Sequence, residues 1–171
     1  MIDGNYIKKI FPELEKISDE KLREGVVRVW LAAVERGNWN RIDDIPFTLL
    51  IPETEISLVE HIRRVTRMAI KVAEARDDLN RDILIAGGLT HDVGKLLEYE
   101  RKGDRFVKSE FGNQKRHPVS GRELALEIGL PEEVAHIIMA HSREGDSLDR
   151  SPEAIVIHHC DFIEFEIAKH G

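Results

Sequence analysis

The stretch Gly88-Leu89-Thr90-His91-Asp92-Val93-Gly94-Lys95 ends an apolar helical segment with two residues of metal-ligand type and a glycine. Adjacent residues on an ideal helix point about 100° apart, so His91 and Asp92 can share one ion only near a helix end or distortion. Gly94 supplies a place for such a break, which would also direct Lys95 to the same site. Because a His-Asp pair alone is expected often by chance, the surrounding sequence decides its meaning.

Helical periodicity dominates the sequence on both sides of this stretch. One helix is predicted to start at Ser18, whose hydroxyl would cap it, and to end at Gly37. A long helix is predicted from Ser57 to about Arg76, because Ser57 and Glu60 have the spacing of a capping box. Further helices are predicted at roughly 81–91, 118–128, 131–141 and 152–169.

Two segments between the helices lack this periodicity. Residues 38–55 contain two prolines and are expected to be extended or looped. Residues 98–112 are charged and contain a Gly-Asp turn, so a lid-like loop or a short hairpin fits them. Since few segments alternate as strands do, the sequence predicts an all-α bundle.

Composition excludes several classes of protein. The chain has 171 residues, a formal charge of −7 and 42% apolar residues, as a single globular domain would. Its acidity disfavours nucleic acid or a membrane surface as a partner. With one cysteine, Cys160, it has no intramolecular disulfide and no thiolate metal cluster, and Cys160 is expected to be a small buried hydrophobe. We expect a soluble, cytoplasmic protein.

Eight histidines are many for a chain with two Trp and two Tyr. Several of them, and two aspartates, fall on or at the edge of different predicted helices. Helical bundles build metal sites in this way, with side chains from several helices projecting into one core. The candidate ligands are His61, His91, Asp92, His117, His141 and Asp161.

On these residues the sequence resembles the HD-domain superfamily of metal-dependent phosphohydrolases. The resemblance covers roughly residues 55–165 and rests on Glu60-His61, on the stretch from Thr90 to Lys95 and on Asp161. It implies an all-α helical bundle of the HD-domain type. A single domain over 1–171 is expected, with a metal-binding core at 55–171 and an N-terminal helical extension at 1–54.

The resemblance also implies a ligand assignment. His61, His91, Asp92 and Asp161 would hold one divalent ion. His117 and His141 match the subset of the superfamily that binds two ions, and Asp92 would then bridge the pair. Six nitrogen and oxygen ligands without sulfur suit Mn²⁺, Fe²⁺, Co²⁺, Ni²⁺ or Zn²⁺, and ligand type does not choose among them.

Such a site suits phosphoryl chemistry. Two cations about 3.5–4 Å apart can hold a hydroxide and stabilise an in-line displacement at phosphorus. Asp92 and Lys95 are the predicted catalytic residues, with Lys95 as the cation for a phosphate oxygen. His158 lies three residues before Asp161 on the same helical face. It is expected to support a metal ligand, to donate a proton to a leaving group or to contact the substrate, and the alternative is a packed histidine.

The leading functional hypothesis is a phosphodiesterase acting on a nucleotide or another small phosphodiester. If His117 is only a loop histidine and His141 only a helix-end histidine, a mononuclear nucleotidase-like phosphomonoesterase is the better reading. A di-iron oxygenase and a metal-binding scaffold without turnover are further alternatives. Pro118-Val119-Ser120-Gly121 stands where a longer Gly-Tyr-Pro motif accompanies cyclic di-GMP hydrolysis, which argues against that substrate. The substrate, the metal and the oligomeric state stay open.

Overall fold

The computed structural model describes residues 2–52 and 54–170, and its architecture is a helical bundle with one short hairpin. Short 3-10 helices lie at Pro12–Lys16 and Arg143–Gly145. The α-helices are α1 (Gly4–Ile10), α2 (Glu20–Arg36), α3 (Leu58–Glu74), α4 (Arg81–Thr90), α5 (Lys95–Glu98), α6 (Glu110–Gln114), α7 (His117–Ile128), α8 (Glu132–Ala140) and α9 (Pro152–His170). The all-α prediction is confirmed.

Side-chain caps fix where the main helices begin. The Ser57 side chain accepts a hydrogen bond from the Glu60 N–H, as predicted for α3. The prediction of Ser18 as the cap of α2 is wrong, because the Asp19 carboxylate accepts from the Leu22 N–H instead. The Ser18 N–H is held by Asp82 at 2.9 Å.

Helix α4 lies at the centre of the bundle. It packs against α2, α3, α8 and α9, and its residues from Leu84 to Thr90 are all buried. A helix that is buried on all sides has to be apolar all round, which explains the continuous apolar run before His91. His91 and Asp92, the HD pair, therefore follow directly on a buried stretch of helix.

The N-terminal segment is part of the main core. Ile7 and Phe11 are fully buried, and the Phe11 ring lies 4.9 Å from the ring of Trp30 on α2. The Trp30 Nε1–H donates to the Leu89 carbonyl at 2.9 Å. That carbonyl belongs to the last turn of α4, where carbonyls lack partners within the helix. Helix α2 thus supports the end of α4 from which the HD pair emerges.

A short antiparallel hairpin follows α5. Strand β1 (Tyr99–Lys102) pairs with β2 (Arg105–Lys108). Its turn contains Gly103 with a φ of 60°, a left-handed conformation that glycine adopts without strain. Of the two structures expected for residues 98–112, the hairpin is the one formed.

Among the helices of residues 2–52 and 54–170, none combines the length and apolar character needed to cross a bilayer.

Replacing Trp30 with Phe tests the support that α2 gives to α4. The change removes the hydrogen bond to Leu89 and opens a small gap in a fully buried site. We expect a loss of about 2 kcal/mol in unfolding free energy, or roughly 4–8 °C in melting temperature. Thermal unfolding followed by circular dichroism measures it. The control is Leu50→Ala at a residue that is 78% exposed, and an equal loss in both variants would contradict the assignment.

Candidate metal centre

The HD pair lies in a turn between two helices. Helix α4 ends at Thr90, α5 begins at Lys95, and His91 and Asp92 stand in the turn between them. Gly94 packs so closely on α7 that a Cβ there would lie 2.1 Å from the His117 carbonyl oxygen. The turn therefore brings His91, Asp92 and the start of α7 together, as the expected break near Gly94 requires.

Four imidazole rings surround the Asp92 carboxylate in two pairs. The Nε2 atoms of His61 and His91 each lie 3.4 Å from Asp92 Oδ2. On the other side, His117 Nε2 and His141 Nε2 lie 3.3 Å and 3.5 Å from Asp92 Oδ1. The sequence positions from 61 to 141 thus converge on one carboxylate, with each oxygen facing its own pair of rings.

Asp161, on α9, joins this cluster through His61. Its Oδ1 lies 3.1 Å from His61 Nε2, and its side chain is 16% exposed. The other five predicted ligands are almost wholly buried. All six candidate ligands are therefore gathered in one place, with Asp161 nearest the solvent.

Hydrogen bonds on the far side of two rings fix where their protons lie. His91 Nδ1 is 2.7 Å from the Gly88 carbonyl, and His141 Nδ1 is 2.7 Å from the Ile138 carbonyl. Because a carbonyl only accepts, both Nδ1 atoms carry the proton. With the proton on Nδ1, the neutral form of each ring has a bare Nε2, and this atom faces Asp92.

The charges of the site follow from burial and from these contacts. Burial lowers the pKa of His91 and of His117, so both rings are neutral at pH 7. Burial would raise the pKa of Asp92, but the charge of Lys95 and the contacts with histidines hold it well below its ordinary value. Burial likewise opposes ionisation of Asp161, yet contact with His61 lowers its pKa to about 2.

His61 is the ring whose protonation these neighbours favour. Burial lowers its pKa, but contacts with Asp161 and Asp92 outweigh that effect and raise it. Its Nδ1 is buried and has no hydrogen-bond partner among residues 2–52 and 54–170.

These residues fit a divalent ion. Ionised carboxylates and bare imidazole nitrogens face one another, and a cation satisfies such a set of electron-pair donors. Two ligands bound about 2.1 Å from one ion at a tetrahedral angle stand about 3.4 Å apart, which matches the separations around Asp92. In two groups of side chains the ligand atoms all lie within 4.8 Å of one another, namely His61 with His91 and Asp92, and Asp92 with His117 and His141.

Lys95 lies inside the same cluster. Its Nζ donates to Asp92 Oδ2 and to the Phe47 carbonyl, each at 2.6 Å. Burial would lower its pKa, but the Asp92 charge outweighs that and raises it, so the ammonium is charged. The Phe47 ring stacks on His61 with centroids 4.7 Å apart. Residues before the core thus cover one side of the site.

His158, the other predicted substrate contact, is half-buried beside the cluster. Its Nδ1 lies 2.7 Å from the His141 carbonyl, so Nδ1 carries the proton when the ring is neutral. Cys160, on the same helix, is buried as expected, and burial raises its pKa to about 11. That thiol is therefore not a nucleophile at pH 7.

The contacts of Phe47 with Lys95 and His61 carry no sequence signature. One contributor to the site was not foreseen from the sequence. Glu98 is a buried acid whose Oε2 lies 2.7 Å from His117 Nδ1. Burial opposes its ionisation, but the contacts with His117 lower its pKa to about 2.

The bundle and its buried His/Asp cluster define an all-α protein that binds divalent metal. A family model described as HD domain matches residues 58–165, so the chain belongs to the HD domain family. This membership, together with the cluster, makes it a metal-dependent phosphohydrolase.

Three relatives show how far the similarity reaches. Dihydroneopterin 2',3'-cyclic phosphate phosphodiesterase of Methanocaldococcus jannaschii is 28% identical, over 94% of this chain and 70% of that protein. Ribonuclease Y of Thermotoga maritima is 32% identical over 46% of this chain, but only 13% of that enzyme is covered. The 3'-5' exoribonuclease YhaM of Listeria welshimeri is 27% identical, with 63% of this chain and 38% of that protein covered. No solved structure gives a significant match to this chain.

Chelation of bound metal is expected to destabilise the protein. Metal-free protein leaves the buried carboxylates without a divalent counter-ion, whereas an ion at about 100 times its dissociation constant adds roughly 2.7 kcal/mol per site. We expect the melting temperature to rise by about 5–10 °C when Mn²⁺ is added to chelator-treated protein. Asp92→Asn should show little of this rise. A metal response unchanged by that substitution would contradict metal binding at Asp92.

Proposed function

We propose that this chain is a phosphodiesterase that cleaves a nucleotide or another small phosphodiester with the help of two divalent ions. The observation that carries the proposal is the division of four imidazoles between the two oxygens of Asp92. A carboxylate placed in this way is suited to bridge two ions, because each oxygen serves a separate set of nitrogen ligands. The identity of the ions is not part of the proposal.

The ligand sets follow from these pairs. His61, His91, Asp92 and Asp161 would hold one ion, and Asp92, His117 and His141 the other. When bound, the two ions supply an activated hydroxide and neutralise charge developing at phosphorus. The protein's own contribution is a buried site in which backbone carbonyls hold the rings of His91 and His141 so that their Nε2 atoms face Asp92.

Lys95 and His158 are assigned to the substrate in this proposal. Lys95 keeps Asp92 ionised through their 2.6 Å contact, and it has a third N–H to offer to a phosphate oxygen. The His158 ring is oriented by the His141 carbonyl, which leaves its Nε2 available to accept a hydrogen bond from a donor group of the substrate. In this proposal Lys95 therefore complements the phosphate charge and His158 a hydrogen-bond donor of the substrate, and neither holds metal.

A small diester suits this chain better than an RNA polymer. The similarity to the Methanocaldococcus cyclic phosphate phosphodiesterase extends over 94% of the chain, whereas only small parts of the ribonuclease Y proteins are matched. The formal charge of −7 also disfavours a long polyanion. Hydrolysis of a diester consumes no O₂, whereas an oxygenase does. O₂ consumption therefore distinguishes the two functions.

Replacing Asp92 with Asn is expected to abolish diester cleavage, by a factor on the order of 10³ or more, because both ions lose a shared ligand. Metal-free protein is reloaded with Mn²⁺, Fe²⁺, Co²⁺ or Ni²⁺ and assayed on a panel of phosphodiesters and phosphomonoesters. Asp78→Asn is the matched control, because Asp78 is exposed and pairs with Arg76. Circular dichroism verifies that both variants fold.

The same panel separates the alternatives. About two ions per chain with diester cleavage supports the proposal. One ion with monoester cleavage alone would contradict it in favour of a mononuclear phosphomonoesterase, and O₂ consumption by an iron pair would favour an oxygenase. Full activity of Asp92→Asn would rule out the metal mechanism.

His158→Gln is expected to raise KM about 5-fold, because one hydrogen bond of roughly 1 kcal/mol to the substrate is lost. Its ion stoichiometry should be unchanged, since His158 is assigned to no ion. The neighbouring His159 is exposed, so His159→Gln is the matched control. Steady-state kinetics on the best diester measures the effect, and equal KM values in the two variants would overturn the substrate role.

A further inference from the structure

In three of the histidines around Asp92 the Nδ1 atom forms a hydrogen bond, but the partner is not the same kind of group in all three. His91 and His141 each follow the last residue of a helix, and each Nδ1 donates to the carbonyl three residues earlier in that helix. His117 is instead the first residue of α7. It has no preceding turn of its own helix, so the backbone bond that fixes the other two rings is not open to it.

Glu98 takes the place of that missing carbonyl. One of its oxygens, Oε2, accepts from the His117 backbone N–H at 2.6 Å and lies 2.7 Å from His117 Nδ1. The backbone N–H belongs to the first turn of α7, where amides lack partners within the helix and negative charge is favoured. One carboxylate oxygen therefore completes the start of the helix and holds the ring at once.

The other oxygen of Glu98 lies near two basic side chains. Lys108 Nζ on strand β2 lies 3.4 Å from Oε1, and Arg116 Nη1 lies 3.7 Å from it. Arg116 also pairs with Glu144 at 3.1 Å. Glu98 itself is 2% exposed, so its rotamer is set by these neighbours rather than by water.

The consequence reaches the metal centre through the ring of His117. Because Oε2 already accepts the His117 backbone N–H, it acts as the acceptor from Nδ1 as well, which leaves Nε2 bare at 3.3 Å from Asp92 Oδ1. A carboxylate that accepts from the outer nitrogen of a ligating histidine fixes its tautomer and raises its basicity, and loss of such a partner typically costs 10–100-fold in metal affinity.

We propose that Glu98 is a positioning residue that sets the affinity of the ion held by His117 and His141, without a comparable effect on the ion held by His61, His91 and Asp161. This rests on the two-ion site proposed above. The effect is local because Glu98 touches only one of the six ligands. A Gln at this position keeps an oxygen acceptor but loses the charge, whereas Ala removes both.

Metal titration of metal-free protein tests this without reference to activity. Co²⁺ is added while its visible absorption bands and the heat of binding are recorded for wild type, Glu98→Gln, Glu98→Ala and Glu144→Gln. Glu144 is the matched control, because it also pairs with Arg116, and its hydrogen bond is made with Ser142 rather than with a candidate ligand. We expect two binding steps in wild type and in Glu144→Gln.

The second, weaker binding step is assigned to the ion held by His117 and His141. In Glu98→Ala this step is expected to lose about 10–100-fold in affinity, while the first step changes less than about 3-fold. Glu98→Gln should lie between, because its amide oxygen can still accept from Nδ1. The absorption band of the second Co²⁺ should shift in both variants. This selective, graded response is one that a purely structural role would not produce.

Several outcomes would overturn the positioning role. An unchanged second step in Glu98→Ala would do so, as would an equal loss in both steps. If Glu98→Ala does not fold, Glu98→Gln takes its place in the test. A second-step affinity in Glu98→Gln equal to that in Glu144→Gln would then contradict the positioning role. A single step in wild type would overturn the two-ion proposal as well. Two binding steps with the expected selectivity but no diester cleavage would support the positioning role of Glu98 and contradict only the proposed phosphodiesterase activity.

Discussion

The structure depends on one buried carboxylate, that of Asp92, which has the Nε2 atoms of four imidazole rings around it. Asp92 is 1% exposed and ionised, yet two of the four imidazoles around it, those of His91 and His141, have their Nδ1 protons committed to backbone carbonyls on the far side. Within the described residues, Lys95 is the one lysine or arginine paired with Asp92. Burial lowers the pKa of His61, but contacts with Asp161 and Asp92 outweigh that and raise it, so in metal-free protein a proton on that ring adds to the charge of the Lys95 ammonium. A divalent cation displaces such a proton and binds carboxylate and imidazole ligands together, which is why this set of side chains suits metal.

The rest of the bundle keeps these groups at the required separations. Helix α4 is enclosed on all sides, so its C-terminal end has a fixed position, and Trp30 satisfies one of the carbonyls exposed there. The absence of a side chain at Gly94 lets α7 approach the HD turn closely enough to present His117. Phe47 and its carbonyl close another side. The segment before the matched family region thus shapes the site.

The sequence predicts most of this arrangement, for identifiable reasons. Helix α3 could be predicted because its cap and its apolar face are both local features, and the ligands could be chosen because their order resembles a known family. Local evidence fails where two residues compete, as at Ser18 and Asp19, and in helix α1, which is too short for a clear period. Glu98 had no signal at all, since its contact with His117 spans 19 positions and exists only because the hairpin folds back.

The location of the ions is the most direct test of this account. Crystals grown with Mn²⁺ and measured at wavelengths on both sides of its absorption edge would show each ion as an anomalous difference peak. We expect two peaks that share Asp92, one also bounded by His61, His91 and Asp161 and the other by His117 and His141. Strong peaks elsewhere, with none beside Asp92, would show that the cluster is held together by protons and hydrogen bonds rather than by metal.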